Sequence, residues 1–166
     1  KRNRHSKKET DTPNIIESDT ADMASQPRPP TFDIRLVQGP VSYEPPPTYR
    51  DGGGENAFLG RTREELHPQC GELKLLRYEA KESMALKLLL EIAQETATKH
   101  GLIYVRMVHA IGDVPVGDAS ILCQVVSGHR KETFQATAEL MDKLKSKVPI
   151  WKQEVWESGE TWQDGA

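Results

Sequence analysis

The chain has 166 residues, with 22 Lys and Arg against 25 Asp and Glu and a formal net charge of −3. That length suits one domain, and the slightly acidic balance gives no general reason to expect binding to nucleic acid or to an anionic membrane. No run of about 18 apolar residues occurs, which excludes a transmembrane helix. Its two cysteines, Cys70 and Cys123, form no CxxC pair. We therefore expect neither a zinc site nor a disulfide framework, and a reducing, cytoplasmic location.

Residues 1–30 are predicted to be a disordered basic and polar tail, because they are rich in charge, Ser, Thr and Pro and have few apolar anchors. The basic cluster Lys1–Lys8 lacks the apolar stretch of a secretory signal. It fits a nuclear localisation or nucleic-acid patch, or a solvated tail, which is the interpretation we favour. The folded domain is expected over residues 31–166.

The first predicted strand is Phe32–Val37, which alternates apolar and polar residues. Ser42–Asn56 follows, and its three prolines and three glycines exclude regular structure. The triple glycine is not a Walker phosphate-binding loop, because no Gly-Lys-Ser/Thr follows it. Only a short strand end is expected next, at Ala57–Gly60.

The middle of the chain predicts a strand, a helix and two further strands. Gly71–Ala80 has a strand pattern, and Ser83 is the expected N-cap of a helix that ends before Gly101. Leu102–Ile111 is predicted as a strand. After an expected turn at residues 112–118, Ser120–Val126 is apolar almost throughout, which predicts a central strand.

A second helix is predicted over His129–Lys147, stopped by Pro149. An apolar stripe, which a lysine continues, is predicted along this helix at Phe134, Ala138, Met141 and Lys145. Ile150–Trp156 follows as a last strand. The order of elements predicts an α+β fold with two main helices packed on a largely antiparallel sheet.

His129 and Arg130 form a candidate anion site at the start of the second helix. Backbone N–H groups and the helix dipole favour an anion there, and a guanidinium group grips phosphate through paired donors. On these residues alone the alternative, a surface histidine with an arginine paired to Glu132, is the more ordinary interpretation.

Lys145 and Lys152 flank the proline break, where the chain can fold back and bring both side chains to one place. A lysine on an apolar stripe must reach solvent, find a partner or give up its proton more easily. A partly desolvated lysine beside another cation is a candidate nucleophile or acid–base group. By spacing alone, the alternative is that both lysines are solvated.

Arg61 and Arg63 lie in a Gly-Arg-Thr-Arg loop that either binds a carboxylate or phosphate or is simply solvated. His109 lies in a strand pattern and is expected to be structural. The sequence carries no Ser-His-Asp signature, no paired-carboxylate motif and no metal constellation.

Four ordered motifs carry a specific resemblance. They are LRYEA at 76–80 followed by MA at 84–85, HAIG at 109–112 followed by VP, SGHR at 127–130, and LKSKVPIWKQE at 144–154. From Leu76 to Trp162 the chain resembles the large, catalytic subunit of molybdopterin synthase. A weaker match, FLGRTR at 58–63, is similar to the family's Phe-x-Gly-x-x-Arg loop.

The resemblance implies an α/β-hammerhead-like fold and a sulfur-transfer reaction. The family inserts two sulfurs into cyclic pyranopterin monophosphate and so makes the dithiolene of molybdopterin in molybdenum cofactor biosynthesis. Sulfur arrives as a thiocarboxylate on the Gly-Gly C-terminus of a small ubiquitin-like partner, within a heterotetramer built on a large-subunit dimer. No metal or organic cofactor is implied, because the partner delivers the sulfur.

By the same resemblance, Arg63, His129 and Arg130 would hold the substrate anion. Lys145 and Lys152 would sit at the thiocarboxylate. Lys145 is the expected principal catalytic lysine, by proton transfer or by attack on the acyl carbon, and Lys152 would stabilise the developing negative charge.

Gln153 and Glu154 follow Lys152 at positions that contact substrate in the family. Glu154 is further expected to orient one of the two lysines.

Residues 31–75 diverge from the family. The proline- and glycine-rich loop cannot form the family's helix after the first strand, and the strand before Phe58 shrinks to Ala57, so the sheet is expected to lack a normal strand. The stretch after Arg63 lacks the family's usual asparagine, and Lys81 stands where an aromatic residue often occurs.

Two other classes of function remain open. The divergent part favours a catalytically impaired binding module that docks a ubiquitin-like partner without turnover, whereas Lys145 and Lys152 favour the enzyme. A nucleic-acid-binding α+β domain is disfavoured by the net charge and by the lack of exposed aromatic platforms.

Overall fold

The computed structural model describes residues 28–163, so the predicted tail lies outside the described residues except for its last three positions. Eight strands and two helices occur in the described part. They are β1 Thr31–Gln38, β2 Gly54–Arg61, β3 Leu66–His67, β4 Gly71–Ala80, α1 Glu82–His100, β5 Leu102–Pro115, β6 Ala119–Ser127, α2 Arg130–Lys147, β7 Ile150–Trp156 and β8 Gly159–Gln163. None of the described helices is long and apolar enough to cross a membrane.

The strands form one sheet in the order β2-β6-β5-β4-β7-β8, to which β1 adds beside β5 and β3 beside β4. Only the β1–β5 pair is parallel. Helix α1 packs against β1 and β5, and α2 packs against β2 and β6. The predicted α+β fold, with two helices on a largely antiparallel sheet, is confirmed.

The middle of the sheet is built from β5 and β6. All nine residues of β6 are buried, which confirms the predicted central strand. The turn predicted from Gly112 is wrong in its first four residues, because β5 continues to Pro115. Gly112 has a φ of +80°, which a residue without Cβ adopts readily. At this point β5 leaves β1 and begins to pair with β4.

The expected loss of a strand before Phe58 is wrong. Strand β2 begins at Gly54 and pairs with β6 along its whole length, which places Phe58 opposite Cys123. A Cβ at Gly53 would overlap the carbonyl oxygen of Gly128, so only glycine can pass this close to the turn before α2. Gly53 thus allows β2 to begin directly beside this turn.

The proline-rich loop before β2 has no helix, as predicted, and polar contacts hold it against the sheet. The guanidinium group of Arg106 donates to the carbonyl oxygen of Glu44 at 2.9 Å, to Gln124 Oε1 at 2.9 Å and to Asp33 Oδ2 at 2.7 Å. The amide of Gln124 donates to the same Glu44 carbonyl at 2.8 Å. Buried polar groups of β5 and β6 therefore hold the loop in place without the helix that the family usually has here.

Helix α1 starts at Glu82 rather than after Ser83, and its N-cap residue, Lys81, makes no side-chain capping bond. Its end is as predicted, since Gly101 has a φ of +62° and takes the left-handed conformation.

The apolar stripe predicted along α2 is not the face that packs on the sheet. The residues that α2 buries are Thr133, Ala136, Thr137, Leu140 and Leu144. Phe134 is 61% exposed, and Lys145 is also exposed. Both stripes have helical spacing, and the position of the sheet decides which one is covered.

A cluster of charged side chains joins the two helices. Glu139 accepts hydrogen bonds from Lys99 at 2.8 Å and from His100 at 2.8 Å, and it pairs with Lys143 at 3.0 Å. These three partners, Lys99 foremost, lower the pKa of Glu139 to about 2.

We expect this cluster to make stability depend on pH in the acid range. The Glu139 carboxyl of the unfolded chain takes up a proton below its usual 4.5, whereas the folded one stays ionised down to about 2. The stabilisation is therefore present above pH 4.5 and is lost as the pH falls towards 2. The free energy of unfolding, measured in urea at several pH values, should fall less steeply across this window for Glu139→Gln than for the wild type. Equal slopes would contradict the prediction.

Candidate functional site

A cavity of about 410 Å³ opens where β2, β4 and β7 meet the end of α2. Its wall carries the basic side chains of Arg61, Arg63, Lys145 and Lys152 and the acidic side chains of Glu65 and Glu154. Four of the residues that we predicted for the site, Arg63, Lys145, Lys152 and Glu154, therefore come together in one chain.

The two lysines converge because the chain folds back at Pro149, as the sequence indicated. Helix α2 ends at Lys147, and the N–H of Val148 still donates to the carbonyl oxygen of Leu144 at 3.1 Å. Strand β7 then returns antiparallel to β4. Lys145 is exposed and Lys152 is half-buried. Neither has a carboxylate within 4.0 Å among the residues that the structure describes, so both ammonium groups are available to an anion.

The two arginines of the cavity differ in how firmly they are held. Arg61 donates from Nη1 to the carbonyl oxygen of Gly117 at 2.9 Å. Arg63 is mostly exposed at the rim and pairs with Glu65 at 2.8 Å. An exposed pair of this kind is worth little, so a bound anion can displace Glu65 from Arg63 at small cost.

Glu154 and Gln153 lie on opposite faces of β7, as successive residues of a strand do. Glu154 is buried and lines the cavity, next but one to Lys152. Gln153 does not line it: its amide donates to Glu160 at 2.8 Å and accepts from Arg77 at 3.4 Å. The structure therefore does not bring Gln153 to the cavity.

His129 and Arg130 lie at the other end of α2. Arg130 and Lys145 are 15 positions apart, and at about 1.5 Å per residue this separates them by about 22 Å along the helix. The pair lines a second, open cavity with Gly53 and Glu132. The alternative Arg130–Glu132 ion pair is not formed either, since no nitrogen of Arg130 lies within 4.0 Å of a Glu132 oxygen, and Glu132 Oε2 is enclosed without a hydrogen-bond partner. The described part of one chain thus presents two separate basic patches around α2.

The wall of the cavity also contains residues that our sequence analysis did not assign to the site. They are Phe58, Tyr78, His109, Ser120 and Met141. Tyr78 and His109 belong to the motifs that carry the resemblance, and their position in those motifs was the one signal in the sequence that could have assigned them to the site. We had expected His109 to be only structural.

His109 is a neutral group in this wall. Its Nδ1 donates to the carbonyl oxygen of Ala110 at 2.7 Å, and its ring meets Tyr78 edge-on at 5.0 Å. Burial lowers the pKa of His109 to about 4, and burial also raises the pKa of Tyr78. Both side chains are therefore uncharged near neutral pH, and the positive charge of the cavity comes from its lysines and arginines.

The arrangement suits binding and turnover of anions. Basic side chains in a partly enclosed cavity favour phosphate and carboxylate groups, and a lysine ammonium can transfer a proton or stabilise a developing anion. Residues 28–163 hold no group of three or more His, Cys, Asp or Glu side chains placed to bind a metal ion.

Comparison with known proteins identifies the family. Residues 38–147 match the family described as MoaE protein. The chain is 37% identical over 113 residues to the molybdopterin synthase catalytic subunit of Pyrococcus abyssi, covering 68% of this chain and 75% of the relative. It is 35% identical over 113 residues to that of Bacillus subtilis, covering 68% and 71%.

Comparison with solved structures gives the same family. Molybdopterin synthase from Staphylococcus aureus superimposes with a TM-score of 0.70 at 34% identity, covering 77% of this chain and 94% of that one. The MoaE protein of Burkholderia ambifaria, with a TM-score of 0.60 and 24% identity, shares the fold. Because the family match spans residues 38–147 and the named relatives exceed one-third identity, this chain belongs to the MoaE family.

Proposed function

We propose that this chain is the catalytic subunit of a molybdopterin synthase. It transfers sulfur from the C-terminal thiocarboxylate of a small ubiquitin-like subunit to cyclic pyranopterin monophosphate, forming the dithiolene of molybdopterin. Membership of the MoaE family supports the sulfurtransferase assignment. The observation that carries the proposal is the convergence of Lys145 and Lys152 on one cavity with Arg63 and Glu154. We propose a cytoplasmic location for this reaction.

The cavity suits each anionic participant. The substrate carries a cyclic phosphate, and the tail of the small subunit carries a thiocarboxylate. At each of two substrate carbons the thiocarboxylate sulfur forms a C–S bond as a C–O bond breaks, and the displaced oxygen leaves as water or as the freed end of the cyclic phosphate. A thioester then joins the tail to the substrate, and hydrolysis of its acyl C–S bond releases the tail as a carboxylate and leaves the sulfur on the substrate. Lys145 acts by proton transfer or by attack on the acyl carbon, and Lys152 stabilises the negative oxygen that develops at that carbon.

The second basic patch belongs to the same reaction if two copies of the chain pair. Helix α2 has an exposed apolar face formed by Phe134 and Ala138 and bordered by the half-buried Met141. It borders Ala57 and Phe58 of β2, which is an edge strand. We propose that this face packs against the same face of a second copy.

A two-fold axis sets which residues meet in such a pair. If two α2 helices cross antiparallel at Ala138, position 130 of one lies beside position 146 of the other. Arg130 of the second copy then lies within one helical turn of Lys145, rather than about 22 Å away as it does within one chain. His129 and Arg130 would thus hold the substrate phosphate beside the lysines of the neighbouring copy.

Mixed dimers test this pairing. Lys145→Ala and Arg130→Ala each damage every site of their own homodimer, but a mixed dimer has one site with both residues intact. Random mixing makes half of the dimers mixed, so we expect about a quarter of wild-type activity to return when the two variants are co-expressed. If the mixture does no better than the mean of the two variants, each site is built from one chain and the pairing is refuted.

The function itself is tested by a single-turnover assay with precursor and thiocarboxylated small subunit. Formation of molybdopterin is the expected result. A folded protein that binds the small subunit and yields no product would leave the other hypothesis, a binding module without turnover. Lys145 and Lys152 at one cavity, together with the intact β2 strand, favour the enzyme.

A further inference from the structure

The carboxylate of Glu154 is held by a chain of hydrogen bonds that comes from the last two strands. The indole Nε1–H of Trp156 donates to Thr161 Oγ1 at 3.0 Å, and the hydroxyl of Thr161 donates to Glu154 Oε2 at 3.1 Å. The register of β7 and β8 sets Thr161 directly across from Glu154. These bonds link a residue of the cavity wall to strand β8.

The direction of this chain is fixed by its donors. An indole N–H can only donate, so it occupies an acceptor side of the Thr161 oxygen and leaves the hydroxyl proton for Glu154. Trp156 is itself buried, and its ring packs against His67 at a centroid distance of 5.3 Å. Thr161 therefore presents its proton to the carboxylate from a rigid support.

The other oxygen of Glu154 is left for the cavity. Oε1 has no hydrogen-bond partner among the described residues. It is not fully buried, because the one fully buried side-chain atom without a partner in this part of the chain is Glu132 Oε2. Oε1 therefore keeps some solvent access, and the cavity that Glu154 lines together with Lys152 and Lys145 is the open space next to this residue. Lys152 lies two residues before Glu154, on the same face of β7.

We propose that Thr161, supported by Trp156, is a positioning residue that holds Glu154 so that Oε1 is presented to the ammonium group of Lys152. This inference rests on the proposed function. Glu154 accepts the Thr161 hydrogen bond with one oxygen, and the other oxygen attracts the Lys152 ammonium group from more than 4.0 Å, so Lys152 is kept on the side of the acyl carbon. Since the contact acts on a catalytic group, we expect Thr161 to affect turnover and not binding.

The kinetic test uses Thr161→Val, which keeps the shape of the side chain and removes the hydroxyl. A hydrogen bond to a charged group corresponds to a factor of about 10 to 100, so the single-turnover rate at saturating substrate should fall by about that factor. The substrate concentration at half-saturation should stay within about twofold. Thr161→Ser should restore most of the rate, and Trp156→Phe should fall between Thr161→Val and the wild type.

Two further comparisons separate positioning from general damage. Glu160→Gln changes the neighbouring residue of β8, whose exposed side chain contacts Arg77 and Gln153 outside the cavity, and it should leave the rate unchanged. In a Glu154→Gln background, Thr161→Val should have no further effect, because the two changes break one interaction. An unchanged rate for Thr161→Val alone, or additive losses in the double variant, would overturn the inference.

A labelling experiment needs neither partner nor turnover. An amine-reactive ester modifies Lys152 of the free protein, and mass spectrometry follows its rate against that of the exposed Lys147. Because Glu154 faces the Lys152 ammonium group from more than 4.0 Å, its release by Thr161→Val should speed modification of Lys152 by about twofold, which is less than a closed surface ion pair would give. An unchanged labelling rate counts against the positioning role even if the wild type makes no product, whereas failure of the proposed function appears only as a wild type without turnover.

Discussion

Replacing Lys145 with alanine is expected to reduce the single-turnover rate of molybdopterin formation by about 10³-fold. The reason is that an alanine can neither move a proton nor attack the acyl carbon, and general acid–base groups contribute about 10² to 10⁴. Lys145 has no ion-pair partner among the described residues and lines the cavity with Lys152. Loss of its ammonium group should therefore not destabilise the fold. The measurement is product formed from precursor and thiocarboxylated small subunit under single-turnover conditions.

A matched control lies on the same helix. Lys147 is also exposed and lies two positions further on, where its nearest carboxylate is Glu95 at 4.0 Å, and it does not line the cavity. Lys147→Ala should therefore keep the wild-type rate. Lys145→Arg keeps the charge in place but cannot give up its proton. Near-wild-type activity in Lys145→Arg would show that charge alone suffices, and it would refute both chemical roles of the lysine.

The second large effect is expected on stability. Arg106→Ala should reduce the free energy of unfolding by about 3 kcal/mol, because it removes the buried partner of a half-buried carboxylate and a donor to the Glu44 carbonyl and to Gln124. Only 9% of the Arg106 side chain is exposed. Although burial raises the pKa of Asp33, its bonds to Arg106 and Arg35 outweigh this and lower the pKa overall. The substitution leaves that carboxylate without its closest partner and frees the proline-rich loop. Urea unfolding followed by circular dichroism measures the loss.

Arg35 provides the control for Arg106. It pairs with Asp33 at 2.8 Å and with Glu44 at 2.9 Å, but its side chain is 38% exposed. Arg35→Ala should therefore cost no more than about 1 kcal/mol. The double variant with Asp33→Asn and Arg106→Met should recover part of the lost stability, because it leaves no unpaired charge. Equal losses for Arg35→Ala and Arg106→Ala would contradict a special role for the buried pair.

Much of the fold could be predicted because its elements have strong local patterns. The apolar run at 120–126 became the buried strand β6, and the αL glycine at 101 ended α1. The convergence of Lys145 and Lys152 could also be predicted, because a proline break between a helix and a strand constrains where the chain goes next. These are short-range consequences of spacing and backbone geometry.

Contacts across the fold decided what the patterns left open. Strand β2 forms although glycines precede it, because it pairs with β6 along its length and because Gly53 fits closely against Gly128. From the sequence, Tyr78 and His109 were only parts of the family motifs, and the pairing of β4 with β5 brought them together in the cavity wall.

The sequence by itself determined the fold class, the two helices and the family, because periodicity, glycine and proline positions and ordered motifs act locally along the chain. Only the tertiary structure decided which face of α2 is buried, since two stripes share the period of the helix and the sheet covers just one. It also decided that His129 and Arg130 lie about 22 Å from Lys145 within one chain, because an unbroken helix holds its two ends apart. Helical spacing can place a residue on a face, but packing determines what that face meets.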